Sequence, residues 1–537
     1  MRPIDEITKD LGIPDDEVTR FGKWKAKLSF AVPQGSSRGK LILVTGMTPT
    51  PRGEGKTVTS IGLAMGLCRA GRSAIACIRQ PSLGPVFGIK GGGAGGGRST
   101  LEPMLDVNMR LTGDFDAIAA AHNLLAAMVD NHLFHGNELG IDPSSVVWPR
   151  TVDVNDRALR QITVAQGAKN GPTHPSKFLI TAASEVMAVV CLSSGYADLK
   201  ARLGSIVVAY TKGRAPVTVE QVGAVGSMGA LLRDALFPNL VQTSEGTPAL
   251  VHGGPFGNIA HGTCSLLSIR RALGLAEYTV VEAGFGSDLG AEKFVDIASY
   301  VGALHVDAAV IVATVRGLRY QGGLDRFDVP DAAAVERGLE NLFKHIENVR
   351  VLGIRPVVAL NRFADDAEDE VSLVRDFCTT VGVPFEISTS FLEGSQGSLG
   401  LAQLVIEESG KGSDPKPLYD ARASVEEKVL ALTSKLYGGD GATFTESATA
   451  DSKIVEALGL SANPICVAKT ALSLSDDATK RGRPRGFSVA VRAVEVAAGA
   501  GFNIVHMGDI ERMPGLPKVP AALRIHLSDE GSISGVY

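Results

Sequence analysis

Aromatic side chains are scarce in this chain: two Trp, eight Tyr and nineteen Phe make up 5% of 537 residues. A surface that stacks unpaired bases needs more of them. Surplus positive charge is missing too. Lys and Arg number 53 against 58 Asp and Glu, a formal net charge of −5, so no global basic field exists to hold nucleic acid or anionic lipid. The six cysteines (Cys68, Cys77, Cys191, Cys264, Cys378, Cys466) lie far apart, with no C-x-x-C pair and no zinc-finger spacing, and are read as reduced thiols. No apolar run approaches the length of a membrane span, and Met1-Arg2-Pro3-Ile4-Asp5-Glu6 does not begin a signal peptide. The expectation is a cytoplasmic protein of two to four domains. No G-x-S-x-G elbow appears, nor a G-x-G-x-x-G between strand and helix with an acidic residue beyond it, which leaves out the common hydrolase and dinucleotide-binding signatures.

What the chain does have is glycine, 62 residues of it, and one stretch that orders the rest. Leu41-Ile42-Leu43-Val44 reads as a buried strand and Val58 to Ala70 as a helix. Between them runs the loop Thr48-Pro49-Thr50-Pro51-Arg52-Gly53-Glu54-Gly55-Lys56-Thr57. Strand, glycine-rich loop and a Lys-Thr opening a helix make a phosphate cradle: backbone N–H groups meet the anionic oxygens, Lys56 adds a mobile cation and the Thr57 hydroxyl can ligate Mg²⁺. The strict G-x-x-x-x-G-K-[ST] pattern fails only at Thr50.

Short helices are expected at Ile4 to Leu11 and Asp15 to Ala26. A strand at Ser73 to Ile78 ends in Arg79, which would stand beside the phosphates, since ligands of open α/β sheets bind at the carboxyl ends of strands. Asp114 precedes a helix from Ala117 to Val129. His122 on that helix and His132 beyond it offer a metal pair, but are read first as capping and core groups. Buried parallel strands are expected at Lys177 to Ala182, Ser205 to Thr211, Pro248 to Val251, Tyr278 to Glu282, Ala308 to Ala313 and Pro356 to Leu360. Four polar or glycine-rich tails begin at His252, Glu282, Thr314 and Asn361, and would outline a pocket if they share one end of one sheet. The fold class is therefore α/β, with a P-loop-type, mostly parallel sheet carrying helices on both faces. Two smaller α/β domains complete it, with approximate boundaries at 1–355, 356–415 and 416–537.

These motifs resemble the formate–tetrahydrofolate ligase family from near residue 2 to the C-terminus. The resemblance rests on the Thr48–Thr57 loop, Pro81-Ser82-Leu83-Gly84-Pro85 with Gly88-Ile89-Lys90-Gly91-Gly92, and His252-Gly253-Gly254-Pro255-Phe256 with Asn258-Ile259-Ala260-His261-Gly262. Glu282-Ala283-Gly284-Phe285-Gly286, Lys344-His345-Ile346-Glu347-Asn348, Ala468-Lys469-Thr470 and Met513-Pro514-Gly515-Leu516-Pro517-Lys518 extend it. It implies an enzyme, usually a homotetramer, that uses ATP and Mg²⁺, with help from a monovalent cation (K⁺ or NH₄⁺), to attach formate to N10 of tetrahydrofolate. By that resemblance Lys56, Arg79 and Asp114 are the catalytic candidates, Thr48 to Thr57 hold ATP, Thr57 holds Mg²⁺ through the nucleotide, and Phe285, Phe363 and Phe391 receive the pterin.

The chain departs from the family around the acyl and pterin positions. Gln80 stands for Glu, Arg98 for Tyr, Leu105 for Glu, and Arg110, Asp116 and Gln321 for His. Phe391 stands for Trp, Ala364 for Pro and Glu393 for Lys. Two alternatives follow: a paralogue using another small carboxylate, pterin or amine, or a nucleotide-binding module without the ligase step.

Overall fold

The computed structural model describes residues 1–30, 39–89 and 92–536. Lys90 and Gly91 of the Gly88–Gly92 motif lie outside the described residues. Twelve strands form one large sheet. Seven of them run parallel side by side, in the order Pro248–Val251, Ala74–Ile78, Tyr278–Glu282, Lys40–Gly46, Ala308–Ala313, Pro356–Asn361 and Phe385–Ser388. Their apolar runs do not alternate with polar residues because both faces are covered. Leu41 and Leu43 enter one hydrophobic cluster, whereas Ile42 and Val44 enter the other with Ile61 and Leu63 of the Lys56–Arg69 helix and Leu401 of the Leu399–Gly410 helix.

Three expected elements take other forms. Asp15 to Ala26 is not a helix. After one 3₁₀ turn, Val18–Arg20 and Ala26–Leu28 form an antiparallel hairpin, with Gly22 at φ 79° in the bend, and the second strand pairs with Asn239–Thr243. Lys177 to Ala182 and Ser205 to Thr211 do contain strands, but outside the large sheet. Phe178–Ile180 pairs with Arg150–Val152, and Val207–Thr211 lies antiparallel between Pro216–Thr218 and Ile141–Val146. An apolar run specifies burial and leaves its pairing partner open. The helix expected from Ala117 extends over Asp114–Phe134.

The sheet continues across residues 355 and 356, because Pro356–Asn361 and Phe385–Ser388 are its last two strands. The C-terminal residues form their own small sheets, Gly441–Phe444 with Ser488–Val491, and Ile465–Ala468 beside Phe502–His506 and Ala493–Ala497. They are tied to the core by a buried ion pair, Lys469 Nζ to Asp288 at 2.7 Å, and by the Leu418 amide donating to Asp296 at 3.0 Å.

Candidate active site

All four tails leave the same end of the parallel sheet, as their strands' shared direction requires. The Thr48–Thr57 loop lies at the centre of that end. Gly53 and Gly55 adopt φ of 81° and 74°, open to glycine at no steric cost. At Gly55 a Cβ would also fall 2.3 Å from the Asn361 amide nitrogen, so the loop closes on the neighbouring strand end only without a side chain there. Asn361 donates to the Glu54 carbonyl at 3.1 Å. Buried Glu54 straps the loop: one oxygen accepts the Thr50 amide at 2.6 Å and the other accepts the Thr314 hydroxyl.

The front of the loop is fixed through Thr48. Its amide donates to Asn341 Oδ1 at 3.2 Å, and its hydroxyl accepts from Asn341 Nδ2 at 2.9 Å. His345 completes the set. Its Nδ1 accepts from the Ser287 amide, so the ring proton sits on Nε2, 2.9 Å from Thr48 Oγ1. Burial holds this imidazole neutral, with its pKa lowered to about 4, and Lys56 contributes to the lowering. The Lys56 stem lies across Gly46, where a Cβ would come 3.4 Å from Lys56 Cδ. Pro49 is buried with the loop's front, while Pro51 and Arg52 are exposed at its tip, Arg52 paired with Asp328 at 2.7 Å.

Thr57 in the first turn of the helix donates its hydroxyl to Glu282 Oε2 at 2.7 Å. Glu282 Oε1 faces Arg79 Nη2 at 3.6 Å, and Arg79 Nη1 donates to the Pro255 carbonyl at 3.4 Å. The sequence pattern marked Glu282 only as the start of a strand-end tail. Its place as the last residue of the strand beside the phosphate-loop strand was the available signal. Next to Arg79 lies buried His261, its pKa lowered to about 3 by burial first and by the Arg79 and Lys293 charges after it. Neither of its ring nitrogens has a hydrogen-bond partner among the described residues.

Asp114 is buried away from the loop. It accepts from Lys27 and from Asn239, each at 2.6 Å. Lys27 also donates to the Phe237 carbonyl, so the pair joins the edge hairpin to the first turn of the Asp114–Phe134 helix. The three aromatic candidates divide. Phe363 and Phe391 follow adjacent strands at one side of the sheet, whereas Phe285 follows the Tyr278–Glu282 strand on the far side of the phosphate loop. Phe363 lies under the Arg316 guanidinium at 4.4 Å, and Phe391, 48% exposed, rests against Gly96 and Gly97. Glycine in the phosphate-loop helix lets the Phe391 segment approach: a Cβ at Gly62 would come within 2.5 Å of Ser390 Cβ.

His122 and His132 do not converge on a metal. His122 bonds Ser184 and the Pro149 carbonyl, and His132 accepts the Leu139 amide. Among the described residues, no group of three or more His, Cys, Asp or Glu could hold a metal ion. Two of the substituted positions compensate each other: Arg110 and Asp116 face one another at 3.8 Å, so their opposite charges offset. Gln321 is buried and accepts the Gly482 amide at 2.9 Å. Gln80 is buried with its side-chain carbonyl unpartnered among the described residues. Leu105 is half-buried in the helix Met104–Asn108, and Arg98, exposed, donates its backbone amide to the Phe391 carbonyl at 2.8 Å.

A doubly covered parallel sheet with a strapped phosphate loop, a Lys-Thr helix start and an arginine at the next-but-one strand end defines a nucleotide-dependent phosphoryl-transfer enzyme. Comparison with known proteins gives the particular family. Residues 1–537 match the formate–tetrahydrofolate ligase family, and the formate–tetrahydrofolate ligase of Thermus thermophilus is 49% identical over 535 residues, 99% of this chain and 98% of that one. The chain belongs to the formate–tetrahydrofolate ligase family and is an ATP-dependent ligase.

Proposed function

We propose that the Thr48–Thr57 loop, Arg79 and the strand-end aromatics carry the ligation of formate to N10 of tetrahydrofolate with cleavage of ATP. Formate is a poor electrophile because its charge is shared by two oxygens. Transfer of the γ-phosphoryl of ATP to a formate oxygen gives formyl phosphate and ADP. N10 then attacks the formyl carbon, phosphate leaves with that oxygen, and the N10 proton passes to solvent or a nearby base. The first step asks the protein for positioning and charge neutralisation. Backbone amides of the loop and Lys56 neutralise the β- and γ-phosphates. Arg79, whose guanidinium fork suits a tetrahedral anion, holds the transferring group. The donor set fits Mg²⁺: the Thr57 hydroxyl gives its proton to Glu282, so its lone pairs remain for a hard cation. Bound with the nucleotide, Mg²⁺ would neutralise phosphate charge there.

Phe363 and Phe391, from adjacent strand ends, form the pterin-stacking side, and Phe285 lines the Arg79 side. Asp114, its carboxylate taken up by Lys27 and Asn239, serves the fold by joining the edge hairpin to its helix. A separate C-terminal unit at 416–537, a monovalent cation requirement, homotetramer assembly and a cytoplasmic location belong to the same reading. Among the described residues no helix is long and apolar enough to cross a membrane. The observation that carries the proposal is the intact phosphate loop joined through Glu282 to Arg79 at one end of the sheet. Incubation with MgATP, formate and tetrahydrofolate, followed by acid conversion to the absorbing methenyl form, tests it. Formate-dependent ADP release together with methenyl product is expected. ADP release without that product would overturn it.

A further inference from the structure

Glu282 sits between the two halves of the proposed reaction, and both its carboxylate oxygens are used. Its backbone is fixed. The strand Tyr278–Glu282 is paired along both sides, with Lys40–Gly46 and Ala74–Ile78, and the Thr263 hydroxyl donates to the Glu282 carbonyl at 3.0 Å. The residue is 6% exposed, so its charge is poorly screened by water.

The two oxygens make contacts of different kinds. Oε2 accepts the Thr57 proton at 2.7 Å, a full hydrogen bond that fixes the hydroxyl rotor and aims its lone pairs elsewhere. Oε1 lies 3.6 Å from Arg79 Nη2, beyond hydrogen-bond reach. That contact holds the guanidinium by charge and leaves that N–H available to an incoming oxyanion. A carboxylate this close to a triphosphate site repels bare nucleotide and favours nucleotide carrying a divalent cation.

Resting on the reading of Thr48–Thr57 as the triphosphate cradle, we infer that Glu282 is a positioning residue with two tasks. It makes ATP binding conditional on the divalent cation by orienting Thr57 and placing a negative charge beside it, and it keeps Arg79 aimed at the formate side. One group thus links metal–nucleotide occupancy to the geometry of the acyl site.

The test is calorimetric titration of the full-length protein with ATP, once in excess Mg²⁺ and once in EDTA, using wild type, Glu282→Gln and Lys56→Ala. For Glu282→Gln, MgATP is expected to bind at least tenfold more weakly, while metal-free ATP binds as well as to wild type or a few-fold more tightly. The formate KM should rise about fivefold with the tetrahydrofolate KM unchanged. A purely structural role would shift both titrations in the same direction by a similar factor, and that result overturns the inference. So does an unchanged ratio of the two affinities. Lys56→Ala reports separately on the cradle. If it binds ATP like wild type, the cradle itself is misplaced. If it loses ATP while Glu282→Gln keeps the wild-type ratio, only the linkage fails. Should Glu282→Gln not fold, Glu282→Asp serves: it keeps the charge but shortens the reach to Thr57, so MgATP alone should weaken, and equal losses would again overturn the inference.

Discussion

Phe391 shows how far single residues can be read from the chain. Its place in the family pattern marked it as a pterin contact, and the structure sets it half-exposed at a strand end beside Phe363's strand, with Gly96 and Gly97 against its ring. A stacked ring pair contributes roughly 0.5–1.5 kcal/mol beyond area burial. Phe391→Ala is therefore expected to raise the tetrahydrofolate KM about tenfold while the ATP KM moves less than twofold. Initial-rate kinetics with each substrate varied will check this, and equal rises would argue against a slot there. Arg110 and Asp116 teach the reverse lesson. Met as two separate departures from the family pattern, they face each other at 3.8 Å across the short turn that opens the Asp114–Phe134 helix, so their opposite charges offset. Glu282 was visible as a strand-end residue, but its two partners, one in the first turn of the Lys56–Arg69 helix and one just past the Ala74–Ile78 strand, emerge only when the sheet order is known.

Among elements, the phosphate-loop helix does more than present Lys56 and Thr57. Its glycine at position 62 admits the Ser390 segment to backbone contact, which places Phe391 relative to the nucleotide loop. Gly62→Ala puts a Cβ 2.5 Å from Ser390 Cβ, closer than side chains tolerate. The expected outcome is a several-fold rise in tetrahydrofolate KM and a melting temperature lower by a few degrees, with ATP binding nearly unchanged. Thermal melts with nucleotide titration measure both. Apolar runs identified the parallel strands because burial on two faces leaves an unbroken hydrophobic string. The same reasoning could not say that Phe178–Ile180 and Val207–Thr211 pair elsewhere, because partner choice is set by topology. It also missed the edge hairpin. There, Lys27 is a buried polar residue rather than a solvent-facing one, and its ammonium is matched by Asp114, which only the folded chain brings near.

For the molecule as a whole, the attachment of the C-terminal residues carries a pH signature. Glu292 and Asp296 are buried side by side beneath them. Burial holds Asp296 up at about 7 and drives Glu292 well above the carboxylate range, the neighbouring Asp296 charge adding to it, with Lys293 and Lys435 opposing. Acids whose folded pKa is raised bind protons more tightly when folded. Their stabilisation is complete below the unfolded carboxylate range and fades as pH rises toward the folded values, through about 7 for Asp296. Asp296→Asn keeps an acceptor for the Leu418 amide and offers Glu292 a permanent N–H donor. Its melting temperature should exceed that of wild type by several degrees at pH 8 and fall less steeply between pH 5 and 8. Parallel melting curves for the two proteins would exclude this role for the pair.

The central claim is that ATP cleavage at the Lys56 cradle passes through an acyl phosphate. If so, one oxygen of formate leaves with phosphate at every turnover. With formate labelled by ¹⁸O in both positions, mass spectrometry of the inorganic phosphate should find one heavy oxygen per phosphate released in the presence of tetrahydrofolate. Phosphate free of the label, formed alongside normal amounts of formyltetrahydrofolate, would contradict it.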